Sequence, residues 1–261
     1  MALFIIGTVI GACLASFINV AAERSVSGRA WWGNERSCCK ICGKKLSFSE
    51  LIPILTFIFQ RGRCRGCGNF IGMRYFVVEV TGALASGLLL MRWGISYSFI
   101  ITLTAAFLLF LNALTDYEEG YIFDIFSIGM LVPAFLFRLP GGVPSLLNGL
   151  YGAAAGFCIF ALIIIISRGG MGWGDAFLMC GLGGFIGWEL VLIAFYLGIM
   201  AGGLGALYLM YRGKVKWGKK QSIPLGPYLA FGGFLTLLYG QDILFYLNKN
   251  FGLKLYSSFP W

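Results

Sequence analysis

The chain contains no histidine in 261 residues. Catalytic zinc sites built on histidine ligands are therefore excluded. Charge is scarce too: Asp, Glu, Lys and Arg make up 12% of the sequence, and only 11 residues are acidic. Set against 59% hydrophobic residues and a mean hydropathy of +0.83, that scarcity excludes a soluble globular domain. The amino-terminal run 2–22 lacks the basic stretch that opens a secretory signal peptide, so no cleaved signal is expected. For the same reason the faint lipobox-like run Ile10-Gly11-Ala12-Cys13 is not read as a lipidation site.

What is left is the composition of an all-α polytopic membrane protein. Apolar runs predict about eight transmembrane helices, near 2–22, 76–91, 98–115, 122–137, 146–167, 176–188, 190–210 and 227–246. The 38 glycines suit this class, because small residues let helices approach closely. Gly7/Gly11, Gly183/Gly187 and Gly198/Gly202 all have G-x-x-x-G spacing. The net charge of +9 is confined to loops, with ten Lys and Arg and three Glu from Glu23 to Arg74. Arg212, Lys214, Lys216, Lys219 and Lys220 form a second basic stretch without an acid. Such loops are the positive-inside signal, and they name the lipid bilayer, not nucleic acid, as the partner. With both basic loops in the cytoplasm, the loops at 116–121 and 168–175 share that face. The turns near 92–97 and 138–145 then lie outside, with one Arg each.

Cys39-Lys40-Ile41-Cys42 and Cys64-Arg65-Gly66-Cys67 are two C-x-x-C pairs separated by residues 43–63. That spacing suits a four-thiolate zinc site. Disulfides are disfavoured in a reducing cytoplasmic loop, and a redox dithiol pair is the other rival. Four thiolates leave no position open for water, so the expected zinc is structural and orders a long polar loop. Cys38 is read as a spare, and Cys13, Cys158 and Cys180 as core residues of helices.

Asp116 follows the apolar run 107–114, Asp124 comes shortly after, and Asp175 closes Met171-Gly172-Trp173-Gly174-Asp175, a G-x-G-D motif. An ionisable group at membrane depth is costly to keep and reads as functional. Two close carboxylates can hydrolyse an amide, one as base toward water and the other as acid toward the carbonyl. Gly172 and Gly174 give a substrate strand room beside Asp175. Two alternatives stay open at this point. Asp175 could cap the sixth helix, or the aspartates could line the ion or proton path of a transporter. Glu79, close to Arg74 in sequence, is read as a buried pair partner or a substrate-side contact.

Taken together these segments resemble the type IV prepilin peptidases, bifunctional bacterial inner-membrane enzymes of the G-x-G-D aspartic protease class. The likeness runs through Ala15-Ser16-Phe17-Ile18-Asn19-Val20 with Arg24, both cysteine pairs with Glu50-Leu51-Ile52-Pro53 between them, and Arg74-Tyr75 with Glu79. It continues through Asp116, Asp124 and the Asp175 motif to Ile223-Pro224-Leu225-Gly226-Pro227-Tyr228-Leu229-Ala230. The resemblance implies a first helix over 1–22, a cytoplasmic zinc-binding, methyltransferase-associated loop over 23–75, and a membrane-embedded aspartic peptidase domain over 76–261. It implies Asp116 and Asp175 as the catalytic pair and Asp124 as a secondary acid. Glu50, Arg74 and Glu79 fall in the region tied to substrate or methyl transfer. The implied substrate is a prepilin or pseudopilin of a pilus or type II secretion system, cut at the cytoplasmic face. The new amino terminus is then methylated with S-adenosyl-methionine as donor. The chain departs from the family pattern at Phe177, Lys40, Phe48, Leu51 and Phe123, none of which is an aspartate or a metal-type cysteine. Glu23, Glu50, Glu118 and Glu119 are candidates to meet a basic leader.

Overall fold

Backbone polar groups inside a bilayer must be satisfied within their own segment, a demand the long apolar runs meet as helices. The computed structural model describes residues 1–30, 36–168, 171–213 and 224–252; among them there are helices and only two isolated bridges. The chain divides into two units, Met1–Ile95 and Ser96–Trp261. In the first, α1 (Ala2–Val26) is followed by a 3-10 turn (Phe48–Leu51), the short α2 (Leu55–Phe59) and α3 (Met73–Trp93). Here α1 and α3 meet through small residues: a Cβ at Gly11 would strike the carbonyl of Gly82.

The second unit holds α4 (Tyr97–Glu119), α5 (Asp124–Gly129), α6 (Leu131–Arg138), a 3-10 corner (Leu139–Gly141), α7 (Gly142–Ile166), α8 (Trp173–Ile186), α9 (Trp188–Tyr211) and α10 (Gly226–Phe251). Its axis is α8, which packs against every other helix of the unit and buries nearly all of its last three turns. Backbones touch where α7 crosses it, since a Cβ at Gly183 would strike the Gly152 carbonyl. Leu192, Tyr196, Met200 and Leu204 make an exposed stripe along α9, a surface that lipid tails accept and water rejects.

Among the described residues, six stretches are long and apolar enough to cross a membrane: Ala2–Val26, Met73–Trp93, Tyr97–Glu119, Asp124–Ile166, Trp188–Tyr211 and Gly226–Phe251. With 14 residues α8 is about 21 Å long, short of the ~30 Å hydrocarbon layer. The helix expected over 122–137 is broken at Met130 into α5 and α6. Pro133 lacks the N–H that would bond the Gly129 carbonyl, and its ring crowds that carbonyl. The division expected near Trp188 and Glu189 falls at Gly187, whose φ of +86° suits glycine alone.

Arg138, at the turn expected near 138–145, is fully buried. It donates to the carbonyls of Gly184, Ser145 and Phe185 at 2.7, 2.7 and 2.8 Å. Carbonyls in the last turn of α8 have no acceptor duty within the helix, and the guanidinium satisfies them. The expectation that Cys13, Cys158 and Cys180 are core residues is corrected: the first two are exposed and Cys180 is half-buried.

Candidate active site

Asp116 lies in the last turn of α4 and Asp175 in the first turn of α8, 6% and 8% exposed. A buried acid needs a partner. Oδ2 of Asp116 accepts the backbone N–H of Gly226 at 2.8 Å. That amide opens α10, where first-turn N–H groups lack intrahelical partners and Pro227 has no N–H at all. The carboxylate thus closes the end of α10. A Cβ at Gly226 would sit 2.7 Å from the same oxygen, so no other residue leaves Asp116 where it is. Asp116 and Asp175 belong to the same unit, on helices α4 and α8 that pack against each other. The residue that caps α8 is Gly172, which places Asp175 inside the helix and corrects the alternative of Asp175 as a cap.

The two motif glycines differ. A Cβ at Gly174 would lie 2.7 Å from Cβ of Ile122, in the link between α4 and α5, so the space there is filled by the chain itself. At Gly172 the amide nitrogen of Gly174, at 4.0 Å, is the only atom of the described residues within reach. Asp124 is the first residue of α5 and half-buried. Its helix is tied to α4 by Ser127, which donates to Oδ1 of Asn112 at 2.8 Å, both fully buried. Phe177, where the family pattern has Lys, packs against Phe157 at 5.6 Å between ring centres. Gly226, Ile122 and Asn112 carry no role in the sequence reading. The only local hint was a glycine set before a proline at a helix start.

In the first unit the four sulphurs of Cys39, Cys42, Cys64 and Cys67 lie within 4.8 Å of one another. Cys39 and Cys67 are 3.9 Å apart, Cys42 and Cys64 4.0 Å. Tetrahedral zinc with ~2.3 Å bonds sets its sulphurs about 3.8 Å apart, so the cluster fits the ion. The two halves are one turn used twice. Cys39 donates its amide to Lys44 and Cys64 to Asn69, while Gly43 and Gly68 return theirs to the two cysteine carbonyls, all at 2.9 Å. Amides of Cys42 and Ile41 hold the Cys39 thiol down at about 6. The Lys44 amide also draws the Cys42 thiol down, but lost solvent and the three neighbouring thiols outweigh it and push that group up to about 11. A cation relieves this crowding. Cys38 stays outside the cluster, bridged to Lys45.

Glu50 accepts from the Ser47 amide at 2.9 Å and Lys44 Nζ at 3.2 Å, which keep its carboxyl down at about 2. Arg74 donates to Oδ1 of buried Asn19 at 3.0 Å, and Glu79 accepts the Ile54 amide at 2.7 Å. Glu23 is engaged by Tyr75 at 2.6 Å and Lys40 at 2.9 Å. A cavity of about 310 Å³ is lined by Arg36, Lys44, Lys45, Arg65 and Glu50 among others. Among the described residues its lining holds four cations and one acid already paired, a set that suits an anion better than a sulfonium cation.

A helical membrane bundle with a buried acid pair at one end, and a four-thiol cluster in its other unit, is the class that fold and site define. The family model for the Bacterial Peptidase A24 N-terminal domain matches residues 9–93, and that for the Type IV leader peptidase family matches residues 102–207. The chain is 35% identical over 221 residues to a prepilin leader peptidase/N-methyltransferase of Bacillus subtilis, covering 83% of this chain and 87% of that relative. A protein of the same description from Aeromonas hydrophila is 33% identical over 228 residues, covering 83% and 76%. One from Burkholderia pseudomallei is 32% identical over 270 residues, covering 92% and 85%. No solved structure matches. The chain belongs to the type IV leader peptidase family. It is a membrane peptidase, and the transporter reading is not supported.

Proposed function

We propose that the protein cuts the basic leader from type IV prepilins or pseudopilins at the cytoplasmic face of a bacterial inner membrane, and methylates the amino terminus so exposed. The relatives are named for both activities. The observation that supports the peptidase half is the burial of Asp116 and Asp175 on two helices packed against each other, with the Gly226 amide on one of them. In sequence the basic residues Arg212, Lys214, Lys216, Lys219 and Lys220 precede Gly226, and the positive-inside rule favours the cytoplasm for them. A basic leader stays on that side.

Of the two acids, Asp116 receives an amide N–H, which steadies a negative charge, so it is assigned as the base and Asp175 as the acid. Asp116 takes a proton from a water whose oxygen attacks the scissile carbonyl carbon. Asp175 gives its proton to the carbonyl oxygen, forming a diol. On collapse one diol hydroxyl returns a proton to Asp175 and Asp116 passes its proton to the leaving nitrogen. The C–N bond breaks, a carboxyl and an amine are released, and both aspartates regain their starting states. Asp124 is the secondary acid at the edge of this pair. Cys39, Cys42, Cys64 and Cys67 would hold zinc, which would order the loop, and four thiolate ligands would leave no position for water. S-adenosyl-methionine is the expected methyl donor.

Mass spectrometry of a matched prepilin incubated with the protein in detergent, with and without S-adenosyl-methionine, reads the cut and the methyl group together. Asp116→Asn and Asp175→Asn should each abolish the cut while leaving the helical fold intact. Continued cleavage by either variant sinks the pairing. A wild-type product that never gains the methyl group removes the second activity.

A further inference from the structure

The first unit carries an apolar ridge that the peptidase chemistry does not use. Ile52, Leu55, Ile58 and Phe59 are between 48% and 79% exposed. Residues 55, 58 and 59 have the spacing of one helix face, while Thr56 and Phe57 are turned partly inward. On a loop surrounded by water such a ridge would be an exposed liability.

Its depth is set by α3. The ring of Phe57 stacks on Phe76 with centroids 5.0 Å apart, and the Ile54 amide is held by Glu79 at 2.7 Å. Phe76 and Glu79 belong to the first two turns of α3, so α2 lies alongside a spanning helix roughly 5–9 Å in from its start, not beyond its end. On α3 itself Met73, Val77, Leu84 and Leu88 form an exposed apolar stripe. The attachment is under strain: Ile54 has φ +63° and ψ −56°, and Leu55 donates back to the Pro53 carbonyl at 2.6 Å. This tight turn is rare for a β-branched residue, and a buried carboxylate on its amide fixes where α2 lies. Arg61, Arg63 and Arg65 follow at exposed positions, and no acid occurs between Glu50 and Glu79.

We propose that α2, with Ile52 and Pro53 before it, is an interfacial anchor. The apolar ridge enters the boundary between acyl chains and headgroups beside α3, and Arg61, Arg63 and Arg65 lie against anionic headgroups. Insertion of ~5–10 Å is the usual depth of such elements, matching the position of α2 along α3. The inference rests on α3 crossing a bilayer and is independent of the aspartate pair.

The test places a photoreactive benzoylphenylalanine at Phe59, and separately at Leu55, in the full chain reconstituted in nanodiscs of phosphatidylcholine and phosphatidylglycerol. The same label at Val77 is the lipid-facing reference. Variants are first matched to wild type for prepilin cleavage in detergent. The expected product is a phospholipid adduct at 59 or 55, at no less than about half the Val77 yield and enriched in phosphatidylglycerol over its share of the disc. Adducts only with protein, or none while Val77 labels lipid, overturn the proposal. Absence of lipid adducts at Val77 as well removes the premise that α3 crosses the bilayer, and the proposal with it.

Discussion

Replacing Gly226 by Ala puts one methyl group into the most constrained contact of the acid pair. The added Cβ would stand 2.7 Å from Oδ2, 2.9 Å from Cβ and 3.1 Å from Cγ of Asp116. Real carbon contacts need about 3.5–4.0 Å, so the aspartate side chain must retreat by close to 1 Å. It cannot keep a 2.8 Å bond to the Gly226 amide while doing so. Overpacking of this kind costs about 1–3 kcal/mol of stability, and a 1 Å displacement of a catalytic group costs about a hundredfold in rate. The expected result for Gly226→Ala is therefore a fall of roughly 100-fold in kcat for prepilin peptide cleavage, with the melting temperature in detergent lowered by only a few degrees. Gly172→Ala is the paired stability control: among the described residues its Cβ meets only one atom, at 4.0 Å, so the melting temperature should not change. Gly226→Ala cleaving within about threefold of wild type would refute the reasoning, because the contact could then not be holding Asp116 in its working position.

Three further outcomes are expected. Zinc binding should weaken toward acid, by roughly tenfold per pH unit for each proton released, measured by competition with a chelator at pH 8 and pH 6. The amides that favour the Cys39 thiolate contribute fully above about pH 9, and that contribution is lost as pH falls through about 6. Glu50 contributes above pH 4.5 and loses its effect only toward about 2, so it takes no part in that window; equal zinc affinity at both pH values would count against the thiol account. Arg138→Met strips the carbonyls of Gly184, Phe185 and Ser145 and leaves Glu189 without its cation, so thermal melts should show a loss of about 3–5 kcal/mol; an unchanged melt would mean that α8 does not depend on this clamp. Gly183→Ala drives a methyl into the Gly152 carbonyl and should lower stability by about 1–3 kcal/mol, whereas a neutral result would show that α7 can move away from α8.

The parts legible in the sequence were those governed by short-range rules. The apolar runs read as helices because each must satisfy its own backbone in lipid, and the C-x-x-C pairs read as metal turns because each turn closes within six residues. Even the broken helix was within reach: Pro133 lies in the run, and its missing N–H dictates the bend at Met130. The burial of Arg138 was not legible, because charge counted along a chain does not reveal the three carbonyl acceptors that hold this side chain in the bundle.

By itself the amino-acid sequence determined the membrane-embedded helical class, the four-thiol cluster and the identity of the acids. Only tertiary structure decided that the Asp116 carboxylate closes the end of α10, that Ile122 fills the notch at Gly174, and that Glu79 grips the Ile54 turn. The reason is physical. Composition and periodicity report what each segment must bury, but helices of similar apolarity can pack in many ways, and in lipid the choice falls to close backbone contacts and a few buried polar bonds between residues far apart in the chain.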